Sequence, residues 1–267
     1  MISIITITYN NFEELKATLH SLSHVPPQIA EVVIINGGKC PQTKEFLEHL
    51  SLPLKMKIVQ EADKGITDAF NKGIRYATGS AITFLNSGDK LLRADYYTQS
   101  YQILRERPEV SFIHSNILYD DSLCGPMVVA PRQCSLGRGM PFHHQTMIVR
   151  SEIFRQIGTF NEKYKIVMDY DFTVRMVKAQ LQGYYLDLLP PPIQMDGHGV
   201  SATKEIDSIR ESKSSLISHR LFYPWQSFPI FISYQIRYTL FSLRRLLHFL
   251  KLDSLIRYGK LLKNSYK

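Results

Sequence analysis

The sequence predicts an α/β fold with a mostly parallel central sheet flanked by helices, on three observations. Short β-branched runs alternate with helical apolar spacings through the first 85 residues. Polar small-residue clusters follow each run. The composition, 44% apolar with 14 Phe and 15 Tyr in 267 residues, supplies enough apolar surface for one large core.

The elements justify that class in order. Ile4, Ile5 and Ile7 mark a first strand, and Phe12, Leu15, Leu19 and Leu22 recur at helical spacing. EVVII (31–35) reads as a second buried strand, the turn-rich NGGKCPQT follows, and Phe46, Leu47 and Leu50 line a helix. KIV (57–59) is a short third strand. The segment from Thr67 to Ala77 is helical, with Gly79 near its end, and AITFL (81–85) is the fourth strand. Such a β-α-β-α-β-α-β order implies right-handed crossovers between parallel strands. Ligands of such sheets sit beyond the strand carboxyl ends. There the sequence places Thr8-Tyr9-Asn10, Asn36-Gly37-Gly38, Glu61 to Gly65, and Asn86-Ser87-Gly88-Asp89. Together these four clusters point to a nucleotide crevice.

The second half is less regular. A helix is expected over 95–107, strands near 110–114, 127–130 and 145–149, and helices over 151–157 and 169–181. YYLDLL (184–189) is a strand stopped by Pro190-Pro191-Pro192.

Charge separates the chain into two parts. Residues 1–218 carry 23 Lys/Arg against 23 Asp/Glu, whereas residues 219–267 carry nine Lys/Arg and Asp253 alone. The basic character belongs to the tail, which removes the main support for nucleic-acid binding. The expected division is a catalytic unit over 1–218, with a ligand-binding half (1–90) and an acceptor-side half (91–218), and a helical basic tail over 219–267. The tail holds no run of the ~20 apolar residues needed to span a bilayer. Its aromatics with interleaved Lys and Arg suit an anionic membrane surface, or packing on protein, a second subunit included. Cys40, Cys124 and Cys134 match neither a disulfide framework nor a zinc spacing, and no signal peptide precedes the first strand. A cytoplasmic protein, peripheral at the inner face of the membrane, is the expectation.

Two acidic motifs carry the candidate chemistry. Asp89, in FLNSGD just past a buried strand, is placed to hold Mg²⁺ or Mn²⁺ against a diphosphate, although a polar turn with an N-capping Asp reads equally well. In IVMDYDFTVRM (166–176) an acid at a helix mouth can serve as general base, with an N-cap as the plain alternative for Asp169. Asp171, with Arg175 at i+4, is better explained as helix-stabilising. Asp63, Asp68, Asn71 and Lys72 crowd one loop and the helix it opens, where Ala69 and Gly73 suit close approach.

The long segment DKGITDAFNKGIRYATGSAITFLNSGD resembles bacterial family 2 glycosyltransferases of GT-A fold, particularly the branch with colanic-acid-type exopolysaccharide enzymes. SIITITYNN matches the family opening, and NGGKCPQT stands where D-G-G-S-x-D-G-T is common. The likeness covers about residues 1–200. It implies a metal-dependent, inverting transferase moving a sugar from a nucleotide-diphosphate sugar to a saccharide acceptor, on a polyprenyl lipid or free, in surface-polysaccharide assembly. By the same likeness Thr8, Asn10, Asn36, Asp63, Asp68, Lys72, Asn86 and Ser87 belong to the donor side. Asp169 would be the base, and His144 and Gln145 acceptor-side residues. Asp89 would be the metal ligand, joined by His198 of DGHGVSAT in a minor reading. Asn36 and the uncharged Asn86-Ser87-Gly88 replace acids usual in the family. Alternative readings are a sugar nucleotidyltransferase, which would need a basic phosphate loop that TYNNFEEL lacks, or a binding module without turnover.

Overall fold

The structure, a computed structural model, describes residues 1–121, 125–132, 136, 139–196 and 204–221, with isolated positions between 232 and 250. Strands β1 (Ile2–Thr8), β2 (Ala30–Asn36), β3 (Lys55–Gln60) and β4 (Ala81–Phe84) alternate with helices α1 (Phe12–Ser21), α2 (Pro41–His49) and α3 (Ile66–Tyr76). They pair in the parallel order β3-β2-β1-β4. The expected βαβ half is therefore present, with boundaries within two or three residues.

Both faces of this sheet are covered, which is why its strands are nearly continuous in apolar residues. Alternation sends Ile2, Ile4, Val32 and Ile34 toward Leu15 and Leu19 of α1, whereas Ile5, Val33 and Ile35 join Phe70 of α3. Helix α3 packs closely because Gly73 presents no side chain. A Cβ there would stand 2.3 Å from Ile5 Cγ2. The β2 end is tied by Glu31, buried and accepting hydrogen bonds from Ser3 Oγ, Thr78 N and Thr78 Oγ1, each at 2.7 Å.

Beyond β4 the sheet turns mixed. Helix α4 (Asp95–Glu106) follows a two-residue strand β5 (Lys90–Leu91). Strands β6 (Phe112–Ser115), β7 (Ile117–Asp121), β8 (Gly125–Val129) and β9 (Ile148–Arg150) come next. Helices α5 (Ser151–Gln156) and α6 (Met168–Lys178), strands β10 (Gly183–Leu186) and β11 (Ile193–Asp196), and helix α7 (Glu205–Ser218) complete the order. β9 inserts antiparallel between β4 and β6, and β10 closes the edge parallel to β6. A second sheet has the order β5-β11-β7-β8.

Several expectations need correction. Strand β9 starts at Ile148, not 145, because His144–Thr146 form a 3-10 turn. Thr146 Oγ1 in that turn bonds the carbonyls of Ser115 and His143, and its own carbonyl accepts Tyr96 Oη. The 184–189 strand ends at Leu186, where its partner ends at Ser115. The 169–181 helix ends at Lys178, and Gln180 then takes a positive φ of 54°. β5, β7, β11 and α7 are absent from the sequence reading. Among the described residues no helix is long and apolar enough to cross a membrane. Most of 219–267, Cys124, Cys134 and His198 lie outside the described residues.

Candidate active site

The crevice begins where three parallel strands end side by side. Thr8, Asn36 and Gln60 are register partners across β1, β2 and β3. Thr8 Oγ1 donates to Asn11 Oδ1 at 2.5 Å. Asn10 sits at φ 55°, a conformation Asn tolerates better than most residues, and its Oδ1 accepts the N–H groups of Lys39 (2.8 Å) and Cys40 (3.1 Å). Asn36 Oδ1 accepts Gly38 N at 3.0 Å. Two Asn side chains thus shape the 37–40 turn from opposite sides. Gly37 lets Asp63 lie against that turn, since a Cβ at Gly37 would fall 1.6 Å from Asp63 Oδ2. Thr8, Asn10, Asn36 and Asp63 are accordingly brought together.

Asp68 and Lys72 sit lower, under the 61–65 loop. Lys72 is 7% exposed, and its ammonium donates to Ala62 O at 2.6 Å with Glu61 and Asp68 oxygens at 3.2 and 3.5 Å. The hydrogen bond from Lys64 N holds the Asp68 carboxyl below its ordinary pKa, with Lys72 adding to it against burial. These contacts commit both side chains to the shape of the loop. Asn71 bridges α3 to the acceptor side, exchanging hydrogen bonds with Phe160 N and O at 3.0 and 2.9 Å.

The NSGD turn is held by a residue that sequence reading passed over. Thr18 Oγ1 of α1 donates to the Asp89 carbonyl at 2.7 Å and accepts Gly88 N at 3.1 Å. Asp89 is 5% exposed, and its Oδ2 faces Asn86 N at 3.3 Å. Beside it, Asn86 Oδ1 and Ser87 Oγ are buried oxygens without a hydrogen-bond partner. The turn therefore offers one carboxylate and two unsatisfied neutral oxygens. That all-oxygen donor set fits Mg²⁺ or Mn²⁺ in type and brings a single charge, leaving room for phosphate oxygens. Among the described residues no group of three or more His, Cys, Asp or Glu side chains forms a metal cage. A cavity of about 310 Å³ opens beside the turn, lined by Glu13, Glu14, Gly88, Lys90, Asp120 and Gln194. Its three carboxylates against one lysine disfavour a diphosphate there.

Across from the turn stands α6. The helix is capped at Val167 and starts at Met168, so Asp169 occupies its second position and is not the N-cap. The Asp169 carboxylate is partly exposed, and its Oδ1 accepts Tyr170 N at 2.8 Å. His144 comes close to it. Burial pushes the imidazole pKa below its usual value while the Asp169 carboxylate pulls the other way. The ring of His144 stacks on Phe84 at 5.2 Å and 23°, and its Nε2 is buried without a partner. Phe84 ends β4, the strand that delivers NSGD, so one ring stack links the two acidic motifs. Gln145 is half-buried in the same 3-10 turn. His143 points elsewhere, with Nε2 3.3 Å from Ala130 O.

Asp171 is structural, as its spacing to Arg175 suggests. It is fully buried, with Oδ2 3.0 Å from Arg175 Nε. Its Oδ1 accepts Ser215 Oγ at 2.8 Å and lies 2.9 Å from His219 Nε2. Arg175 also donates to the carbonyls of Ile157, Gly158 and Thr159. The α7 partners carry no motif in the sequence, and nothing there announces them.

The fold and crevice define a class, the α/β proteins that take ligands beyond the carboxyl ends of parallel strands. Comparisons sharpen it. The sequence model of glycosyl transferase family 2 matches residues 3–115. A PGL/p-HBAD biosynthesis glycosyltransferase of Mycobacterium bovis is 27% identical over 188 residues, 66% of this chain and 69% of that protein. An uncharacterized glycosyltransferase of Haemophilus influenzae is 24% identical over 191 residues, 67% and 62% of the two chains. Among solved structures, S. aureus TarS 1-349 superposes with a TM-score of 0.61 at 17% identity, over 91% of this chain and 73% of that one. The mannosyltransferase PcManGT of Pyrobaculum calidifontis, in complex with GDP-Man and Mn²⁺, gives 0.63 at 14% identity, over 98% and 79%. The match to family 2 lies in residues 3–115, and the chain as a whole has the GT-A fold.

Proposed function

We propose that this glycosyltransferase is inverting, and moves a sugar from a nucleotide-diphosphate sugar to a hydroxyl of a saccharide acceptor in surface-polysaccharide assembly. The observation that carries this reading is Asp169. It stands partly exposed at the mouth of α6, beside a His144 that stacks on the strand leading to the phosphate-side turn. Thr8, Asn10, Asn36 and Asp63 bind the nucleoside end of the donor. Asp169 takes the proton from the acceptor hydroxyl as that oxygen attacks the anomeric carbon from the face opposite the diphosphate. The bond from the anomeric carbon to the diphosphate oxygen breaks, and its electron pair leaves with the nucleotide. Asp89, with Asn86 Oδ1 and Ser87 Oγ, would hold Mg²⁺ or Mn²⁺, which would supply charge neutralisation for the diphosphate. Half-buried His144 and neighbouring Gln145 orient the acceptor. A nucleotidyltransferase would need a basic phosphate loop after β1, where this chain has Tyr9, Asn10 and Asn11.

Thermal melts across a panel of nucleotide-sugars, with and without Mn²⁺, test the donor and metal reading. One donor is expected to raise the melting temperature, with a further metal-dependent rise that Asp89→Ala abolishes. An unchanged metal response in Asp89→Ala would remove Asp89 from the site.

The catalytic unit, on this reading, extends to Leu221, since His219 bonds Asp171. The remaining tail, carrying nearly all the net charge, rests on the inner face of the cytoplasmic membrane and brings the site to a polyprenyl-linked acceptor. Sedimentation with anionic liposomes is expected to retain the full chain and release one ended after Leu221. Equal retention of the two would rule the tail out as the membrane contact.

A further inference from the structure

We infer that Glu211 of α7 is a positioning residue for the base, holding the start of α6 in place from a helix that carries no part of the chemistry. This rests on the reading of Asp169 as base. The first N–H groups of any helix lack intrahelical acceptors, and the positive end of the helix dipole lies among them. In α6 the N-cap residue Val167 offers no side-chain acceptor, and within the first turn Asp169 Oδ1 takes the N–H of Tyr170, which leaves the N–H of Val167 and those before it to partners outside the helix. Glu211 fills the gap from outside. Its Oε2 accepts Ile166 N at 3.0 Å and Val167 N at 3.2 Å, and its Oε1 accepts Lys165 N at 3.3 Å. Val167 is the N-cap residue, and Asp169 follows two positions later.

One turn further along α7 Ser215 holds Asp171, and His219 at the helix's C-cap joins it. α7 therefore grips the chain on both sides of Asp169, at 165–167 and at 171, while the Asp169 carboxylate accepts a hydrogen bond from Tyr170 N within α6. The two grips differ in kind. Asp171 sits in a buried charge network whose loss would unsettle the packing of α6 on α7. Glu211 is half-buried and, among the described residues, takes its hydrogen bonds from backbone N–H groups, so its removal chiefly frees the angle at which the chain enters α6. An error of about 1 Å in the place of a reacting group can cost on the order of 10²-fold in rate.

The test is steady-state kinetics of Glu211→Ala, Glu211→Gln and Glu211→Asp on the full chain, with the donor found by thermal melts. Transfer, or hydrolysis with water as acceptor, is the activity measured. Glu211→Ala is expected to lower kcat by about 10- to 100-fold with the donor KM within about twofold of the parent. Glu211→Gln, which keeps an acceptor oxygen at the same reach, is expected to recover most of that loss. Unchanged kcat in Glu211→Ala would overturn the inference, as would a Gln variant no better than Ala. Should Glu211→Ala not fold, Glu211→Asp decides in its place, because it withdraws the carboxylate by one methylene: a lowered kcat with unchanged donor KM supports the inference, and an unchanged kcat overturns it. Failure of the underlying reading shows separately, as full activity in Asp169→Asn.

Discussion

Asp169→Asn is expected to lower kcat by about 10²- to 10⁴-fold, the range a positioned general base contributes. The substitution keeps the shape of the side chain and its acceptor oxygen for Tyr170 N, so α6 should start as before. What it removes is the capacity to take a proton from the acceptor oxygen. Donor binding, which we assign to Thr8, Asn10, Asn36 and Asp63 as a proposal, should be unaltered. Rates measured beside donor-induced shifts in melting temperature separate the two effects. A variant that transfers at the parental rate would exclude Asp169 as the base, and one that no longer binds donor would mean the crevice had been misassigned.

The second large effect falls two residues away and is of another kind. Asp171→Ala is expected to cost about 3–5 kcal/mol of stability, because it strips one partner from a buried ion pair. Arg175, Ser215 and His219 would all lose an acceptor at a position that is fully buried. Denaturant unfolding followed by circular dichroism reads this directly. A loss under about 1 kcal/mol would show that α7 does not depend on this contact. Asp169→Asn, partly exposed and bonded to one neighbouring N–H, should leave the unfolding midpoint nearly unchanged. The pair of variants therefore assigns chemistry to one carboxylate of MDYDF and cohesion to the other.

What could be read from the sequence followed local pattern. Ile4, Val33 and Phe84 sit in runs buried on both faces, so β1, β2 and β4 announce themselves through composition alone. The clusters after them lie at strand ends because the crossovers are short and right-handed. Asp171 was legible through its i+4 partner. The elements that escaped are those whose reason lies elsewhere in the chain. Lys90–Leu91 forms a strand only because Ile193 and Gln194 pair with it. His144–Thr146 reads as the beginning of a strand, yet Tyr96 and Ser115 draw Thr146 into a turn. Thr18 sits on a helix face as an unremarked hydroxyl until the NSGD turn folds against it. Lys72, grouped with the donor side by its neighbours in sequence, bends back to the Ala62 carbonyl because loop closure brings that oxygen within 2.6 Å.

The grip of α7 on α6 also bears on how a chain of this kind comes to be finished. Synthesis proceeds from the amino end, and domains can begin to fold as they emerge. The four parallel strands that frame the donor crevice are all in place by Phe84. The partners of Asp171 lie 44 and 48 positions downstream of it. A nascent chain therefore owns its strand-end crevice well before the helix bearing Asp169 can be clamped, and, on the roles proposed above, a product that stops between the two would hold a donor with no fixed group to hand it on.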